Sequence, residues 1–233
     1  MDTGLIDIII DAYKSKLNRK LVAKLYSSLQ SFTKTSTLHI KCKWEKEAKI
    51  TIFEEDWLNI CKVQSNTSSS GLWREFVWKN LIRFFITPKI KQSQGGQPES
   101  GQCWRECGNC QADHFHIFWD CSIIQPYWSE ITLMINQIIG LNIKQDFCIL
   151  YLGNLSATVN VLARYLLKIM MAASKKTITR RWLTKEPPTK KDWIGIVSEI
   201  QNMEKFTFSL NLRMDKFVNY WNKWTNHLNT STS

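Results

Sequence analysis

Residues 159–183 read VNVLARYLLKIMMAASKKTITRRWL, and this stretch gives the clearest secondary-structure signal in the chain. Drawn at about 100° per residue, its apolar side chains gather on one side of an α-helix, as expected for a helix packed against a core. On the same wheel the opposite side carries Arg164, Lys168, Lys175 and Trp182. The pattern therefore predicts a long amphipathic helix with a basic face in water.

Apolar residues recur with helical spacing through most of the remaining chain, so we predict a mainly α fold. The other predicted helices cover residues 3–16, 18–32, 38–46, 53–63, 72–86, 123–140, 190–212 and 213–228. A short extended piece is predicted at 147–152, and strand content should be minor.

Cysteine and histidine are concentrated in CWRECGNCQADHFHIFWDC, residues 103–121, which holds four of the seven cysteines and two of the four histidines. Zinc takes four such ligands in a tetrahedron, and a short loop supplies them as two close pairs. The spacing gives the pairs Cys103, Cys107 and His116, Cys121. Cys110 and His114 are alternative ligands at this point. Because candidate ligands exceed four, we predict a structural zinc without an open position.

The domain organisation is suggested by residues 91–102 (KQSQGGQPESGQ), which have the Gly, Ser and Gln content of a flexible connector. We therefore predict two helical modules, 1–90 and 103–228, separated by this linker. The second module contains the small Cys/His zinc knuckle. Residues 229–233 are predicted to be a disordered tail.

The charge of the chain points toward a polyanionic partner. The formal net charge is +11, and residues 160–191 hold nine basic residues and one acid. Neutralisation of phosphates by Lys and Arg is the main sequence-independent source of nucleic-acid affinity, and an indole can stack on a base. The predicted nucleic-acid-binding residues are Arg164, Lys168, Lys175, Lys176, Arg180, Arg181 and Trp182. The partner is RNA or single-stranded DNA, with the preference left open.

Several functional classes find no support in the residues. The chain has neither a Gly-rich phosphate loop of the Walker type nor a Tyr-x-Asp-Asp-like polymerase motif, so we predict no catalytic residues and no enzyme activity. No apolar run approaches the roughly 20 residues that span a bilayer. The start, MDTGLIDIIIDAYKSK, has acids within its apolar run and no basic segment before it, so we expect no secretion signal.

A series of sequence blocks resembles one known family. The blocks are SSGLWREFVWKNLIRFFITPK (69–89), HFHIFWDC (114–121), AASKKTITRRWL (172–183) and PPTKKDWIGIVSEIQNMEKFTFSL (187–210). In order and spacing they resemble the carboxy-terminal third of the second-open-reading-frame protein of LINE-type retrotransposons, especially those of fish genomes. The likeness runs from about Leu17 to Trp224.

The resemblance implies a function as well as a fold. Proteins of that family contain an endonuclease, a reverse transcriptase and then a Cys-rich domain similar to residues after about 100 here. It implies binding of RNA or DNA within a ribonucleoprotein, beside a reverse-transcriptase core, in the cytoplasm and nucleus. The family's Cys-Cys-His-Cys pattern maps onto Cys103, Cys107, His116 and Cys121, although Cys110 is an added thiol. Neither catalytic domain is present in this sequence, so the chain is expected to be non-catalytic.

An alternative belongs to a different functional class. The Trp-rich helices 72–86 and 213–228 can dock on another protein chain, with the positive charge then serving solubility alone. Loss of nucleic-acid binding on removal of the basic residues separates this alternative from the first hypothesis.

Overall fold

The computed structural model describes Ile10, residues 37–156 and residues 158–231. The predicted helices 3–16 and 18–32 therefore lie outside the described residues, apart from Ile10. The chain divides into two compact units, Met1–His39 and Ile40–Ser233, and the second is described below. Its described residues form helices and no strand, which confirms the mainly α fold.

Most helices lie at the predicted positions, but the helix predicted at 72–86 ends at Leu81 and a further short helix begins at Pro88. The α-helices are α1 (Leu38–Ala48), α2 (Glu54–Ser65), α3 (Gly71–Leu81), α4 (Pro88–Ser93), α5 (Gln125–Ile139), α6 (Val161–Arg180), α7 (Lys190–Leu210) and α8 (Met214–Ser231). A 3-10 helix covers Pro98–Gly101, and π-helical turns cover His116–Asp120 and Cys148–Leu152. None of the helices in the described ranges combines the length and apolar composition needed to cross a lipid bilayer.

Local sequence signals explain several helix ends. Helix α7 begins with a capping box, in which Thr189 accepts a hydrogen bond from the Asp192 N–H and Asp192 accepts one from the Thr189 N–H. Asn160 caps α6 by accepting from the Leu162 N–H at 2.9 Å. Helix α5 ends at Gly140, whose φ of +71° is the left-handed conformation that glycine adopts without strain.

The extended piece predicted at 147–152 is wrong, because this stretch forms the second π-helical turn. Asp146 starts the turn by accepting a hydrogen bond from the Ile149 N–H at 2.9 Å, and Gly153 ends it with φ of +82°. Leu150, Tyr151 and Leu152 are all buried. A short apolar run of this kind has the same hydrophobic pattern in a buried strand and in a buried helical turn.

Helix α6 lies at the centre of the second unit. It packs against α3, α5, α7, α8 and the Cys148–Leu152 turn. Leu166, Ile169 and Ala173 are buried on the predicted apolar side, but Met171 and Lys175 on the opposite side of the helix are buried as well. The predicted basic face in water is therefore wrong, because neighbouring helices cover α6 on several sides.

Aromatic side chains build a core that crosses the predicted linker. The Trp44 ring lies 5.7 Å from that of Phe147 and 5.4 Å from that of Tyr151, and the Phe85 ring lies 6.0 Å from that of Phe118. This arrangement differs from the two modules predicted on either side of residues 91–102, because one core joins them. The predicted linker itself includes the end of α4 and the 3-10 helix, and α8 continues through most of the predicted tail 229–233.

Candidate metal centre and nucleic-acid interface

Four predicted ligands converge at one point. One ligand atom from each of Cys103, Cys107, His116 and Cys121 lies within 4.8 Å of all the others. The sulfurs of Cys103 and Cys121 are 3.9 Å apart, and Cys107 Sγ is 3.2 Å from His116 Nε2. A tetrahedral ion about 2.3 Å from each sulfur separates the sulfurs by about 3.8 Å. The cluster thus has the dimensions of a metal site.

The first ligand pair is held by a loop that closes on itself. The Cys103 N–H donates to the Asn109 carbonyl at 2.8 Å, and the Glu106 N–H donates to the Cys103 carbonyl at 2.9 Å. Glu106 and Gly108 have φ values of +57° and +88°, which turn the chain sharply. These contacts bring Cys107 back beside Cys103.

The second pair lies at the two ends of a π-helical turn. The Cys121 N–H donates to the His116 carbonyl at 3.0 Å, the i to i+5 bond that defines such a turn. Asp113 supports its start by accepting from the His116 N–H at 3.0 Å. The turn therefore explains how residues with four others between them serve the same site.

The imidazole of His116 is oriented by a neighbouring amide. Its Nδ1 lies 3.2 Å from the Asn109 side-chain nitrogen, while its Nε2 faces Cys107. Metal binding through Nε2 requires a proton on Nδ1, and that proton needs an acceptor. The Asn109 side-chain oxygen accepts from the Gln111 N–H at 2.8 Å, so Asn109 supplies that acceptor only when its amide turns over and gives up this bond.

The buried thiols of Cys103 and Cys121 compete for one proton. A hydrogen bond from Cys103 is the main cause that lowers the pKa of the Cys121 thiol, and the same contact with Cys121 raises the pKa of the Cys103 thiol. One of the two thiols therefore loses its proton readily. Loss of the second proton would place two negative charges side by side and is disfavoured. A cation between the sulfurs reverses that repulsion, so metal binding and loss of the second proton are coupled.

The two alternative ligands do not belong to the cluster. Cys110 is exposed. The His114 ring lies 6.0 Å from the Trp44 ring in an edge contact, with 1% of the residue exposed. Burial is the main cause that lowers the pKa of His114 to about 3, and the neighbouring Arg83 adds to it. His114 is therefore a neutral core residue.

Arg105 is a residue of this site that the sequence analysis missed. It lies between Cys103 and Cys107 with 4% exposed, and its guanidinium donates to the Ile117 carbonyl at 3.0 Å. Its Nε and second terminal nitrogen have no hydrogen-bond partner among the described residues. A divalent ion with three thiolates and a neutral imidazole has a net charge of about −1. Arg105 supplies the opposite charge within the same loop.

Lys175 does not lie on a surface. Its ammonium donates to the Gln64 side-chain oxygen at 3.1 Å and to the Tyr151 carbonyl at 2.7 Å, and 2% of the residue is exposed. Burial lowers the pKa of Lys175 to about 7. Its predicted role in nucleic-acid binding is therefore wrong, because a phosphate cannot reach a side chain enclosed by the core.

The neighbouring cations of α6 are also engaged inside the protein. Arg164 donates to the Ser156 carbonyl at 2.6 Å, and Lys168 donates to the Asn66 carbonyl. Lys176 lies 4.8 Å above the Phe76 ring. These contacts serve different elements, so the side chains do not form one continuous basic stripe.

The carboxyl end of α6 shows the same engagement. Arg180 pairs with Glu199 at 2.5 Å, and Arg181 pairs with Asp192 at 3.2 Å and with Glu186 at 3.4 Å. The Trp182 ring is half-buried and contacts those of Trp104, Phe118 and Phe85. The Trp182 indole, predicted to stack on a base, instead packs between Trp104 of the Cys/His segment and the aromatic core.

The donor set is the most specific chemical feature of the described residues. Three thiols and one imidazole, mostly buried, form a site that can hold a metal ion. The cations predicted for nucleic acid are distributed among the core, ion pairs and local hydrogen bonds. In a comparison with models of known protein families, no family model matches this chain.

Proposed function

We propose that this chain is a non-catalytic nucleic-acid-binding module whose Cys/His loop is held by a structural zinc ion. The observation that carries the proposal is the convergence of Cys103, Cys107, His116 and Cys121 in a chain with a net charge of +11. A small Cys/His zinc site in a basic chain is typical of nucleic-acid-binding modules such as zinc fingers and zinc knuckles.

The chemistry of the donors favours zinc over other metals. Thiolates are soft ligands that select zinc, copper(I) or iron–sulfur clusters, whereas magnesium and calcium require oxygen ligands. One imidazole with three thiolates around a single tetrahedral position is a common structural zinc site. All four positions are supplied by the protein, which leaves none for water or substrate and supports a non-catalytic role.

The cations outside α6 support the nucleic-acid part of the proposal. Lys43, Lys46, Lys190 and Lys191 are exposed, and none has an ion pair within the described ranges. Such side chains are free to neutralise phosphates and release counterions. The resemblance of the sequence blocks to LINE-type proteins points to RNA or DNA within a ribonucleoprotein as the partner.

Metal analysis of the purified protein tests the zinc part. We expect one zinc per chain, and loss of zinc when Cys103, Cys107 or Cys121 is changed singly to Ser. The matched control is Cys110→Ser, an exposed thiol of the same loop, which should retain full zinc. Protein without metal, or an equal requirement for Cys110, would overturn this part.

Fluorescence anisotropy with a labelled single-stranded RNA and a DNA of equal length tests the binding part. With about six phosphate contacts, log affinity should fall against log salt with a slope of magnitude about 4–5. Absence of binding to both oligonucleotides, or binding that salt does not weaken, would contradict the proposal.

A second candidate function is docking on another protein, such as a reverse-transcriptase core. Trp73, Trp221 and Trp224 are buried, so they are not its anchors. The supporting observation is a cavity of about 280 Å³ between α3 and α7, lined by Leu72 and Met203 among others. This candidate requires co-purification with a supplied LINE-type polymerase core, and loss of co-purification in Leu72→Glu.

A further inference from the structure

A cationic cavity lies away from the metal centre, where the start of α3 meets α6 and the connection from α7 to α8. Its volume is about 250 Å³, close to the lower end of the roughly 300–1,000 Å³ typical of small-molecule sites. Among its lining residues are Arg74, Arg213, Lys216, Ser69, Tyr165 and Tyr220. None of these belongs to the basic residues predicted from the sequence.

A buried carboxylate organises the wall of this cavity. Glu204 is fully buried, and its Oε1 accepts from the Ser68 hydroxyl at 2.5 Å and from the N–H and hydroxyl of Ser69 at 3.0 and 3.1 Å. Its Oε2 accepts from the Tyr165 hydroxyl at 2.7 Å and the Trp221 indole N–H at 3.1 Å. Five neutral donors satisfy the carboxylate, so it occupies no cation of the cavity by direct contact.

The three cations of the cavity have no acidic partner. Arg74, Arg213 and Lys216 are exposed, and no ion pair joins any of them to a carboxylate in the described part of the chain. Arg74 is held by a hydrogen bond to the Ser68 carbonyl at 3.3 Å. Even with Glu204 and with Asp215 in the first turn of α8 counted against them, the positive charge of the three cations is in excess. The positive charge gathered here therefore favours an anion.

The backbone that presents two of these cations is sharply turned. Leu212 has φ of +53°, and the Arg213 N–H donates back to the Phe208 carbonyl at 2.9 Å. Arg213 consequently precedes α8 and Lys216 lies in its first turn, where the helix dipole adds partial positive charge. Cavity shape, side-chain charge and backbone dipole act in the same direction.

Tyr220 lines both this cavity and a second one. The rings of Tyr165 and Tyr220 stack with centroids 4.1 Å apart. The second cavity has a volume of about 360 Å³ and is lined by Asn160, Asn219 and Asn222, among others. Side-chain amides both donate and accept hydrogen bonds, as base edges and sugar hydroxyls require. Because Tyr220 lines both cavities, a nucleoside attached to a phosphate in the first cavity would extend toward these amides.

We propose that the cationic cavity binds a backbone phosphate of single-stranded nucleic acid through Arg74, Arg213 and Lys216. Arg binds phosphate through paired N–H groups, and Lys binds it through its point charge. The three side chains therefore suit the oxygens of one phosphate group. This inference rests on the proposed nucleic-acid binding, and it moves the interface from the face of α6 to the ends of α3 and α7.

The test compares two double variants that remove equal charge from exposed positions. Arg213→Gln with Lys216→Gln removes two cavity cations, and Lys91→Gln with Lys144→Gln is the control, at two exposed lysines that line neither cavity. Anisotropy with a labelled single-stranded RNA should show about tenfold weaker binding for the cavity variant and a salt slope smaller by about 2. The control variant should keep the affinity and the salt slope of the unmodified protein.

The outcomes separate this inference from the function on which it rests. If the unmodified protein binds RNA and both double variants bind equally well, the cavity assignment is overturned and the proposed function stands. If it binds no RNA, the proposed function fails and the nucleic-acid assignment fails with it. Inorganic phosphate, followed through the NMR signal of the Trp221 indole N–H above Glu204, then separates the two failures. A shift lost in the cavity variant leaves an anion site, and no shift overturns the cavity as well.

Discussion

The Cys/His loop and helix α6 are both rich in polar side chains, but the two regions arrange these side chains differently. In the Cys/His loop, residues 103–121, ligand atoms from Cys103, Cys107, His116 and Cys121 converge on one point. In α6 the cations have separate partners within the protein, as Lys175 has with Gln64 and Tyr151 and Lys176 has with the Phe76 ring. Donor atoms that converge on one point indicate a shared ligand, whereas polar groups with separate partners indicate a structural role.

Loss of a convergent thiol should have the largest effect. Cys121→Ser should destabilise the protein by more than about 5 kcal/mol, because apparent zinc-binding energies of about 10–16 kcal/mol are coupled to folding in small zinc sites. Urea unfolding of zinc-loaded protein measures it, with Cys110→Ser as the control that stays near the unmodified value. Equal midpoints for Cys121→Ser and Cys110→Ser would remove the contrast between the two regions.

The pH dependence of stability tests the structural role of Lys175. Its pKa falls from 10.5 to about 7 on folding, so between these values the unfolded chain holds a proton that the folded chain lacks. The cost of burying the charge is fully present below pH 7. The free energy of unfolding should therefore rise above pH 7 by up to about 1.4 kcal/mol per pH unit.

Urea unfolding at pH 7, 8 and 9 checks this expectation. Lys175→Met should lose that rise, and the difference between the two proteins isolates Lys175 from other groups that titrate in this range. Lys176→Met, at the neighbouring half-buried position, should keep the rise. Parallel pH profiles for the Lys175 variant and the unmodified protein would contradict the account.

A smaller effect is expected where the loop meets its compensating charge. Arg105→Gln should weaken zinc binding about 10–100-fold, the range found for groups that support metal ligands without binding the ion. Competition with a chromophoric chelator measures this. The control is Lys185→Gln, which removes an exposed cation paired with Glu106 at 2.5 Å beside the same loop. An equal loss of zinc affinity in both variants would mean that Arg105 has no specific role in compensating the charge of the site.

The smallest effect belongs to the exposed ion pairs of α6. Arg180→Gln breaks the pair with Glu199, and both side chains are about half exposed. We expect a change in unfolding free energy of under about 1 kcal/mol, typical of surface pairs, and no loss of RNA affinity. A clear loss of RNA affinity in this variant would restore α6 as an interface.

What could be predicted from the sequence depended on whether the information was local. The four ligands fall within 19 residues, so spacing alone indicated their pairing. The start of α7 at Thr189 and the end of α5 at Gly140 likewise follow from residues a few positions apart. The choice between His114 and His116 was not local, because it required the contact of His114 with Trp44.

The sequence pattern could not predict which side chains of α6 are buried by elements distant in the chain. A helical wheel separates polar from apolar sides, but it does not show that α3 and the Cys148–Leu152 turn cover the polar side of α6. Lys175 was misjudged for that reason. The cationic cavity is equally non-local, since Arg74 and Arg213 lie far apart in the chain and meet only through folding.

X-ray absorption at the zinc edge of the purified full chain tests the central claim most directly. The account predicts three sulfur neighbours at about 2.3 Å and one nitrogen neighbour at about 2.0–2.1 Å, with the nitrogen signal lost in His116→Ala and retained in His114→Ala. A first shell of oxygen atoms, a requirement for His114, or protein that carries no zinc would contradict it.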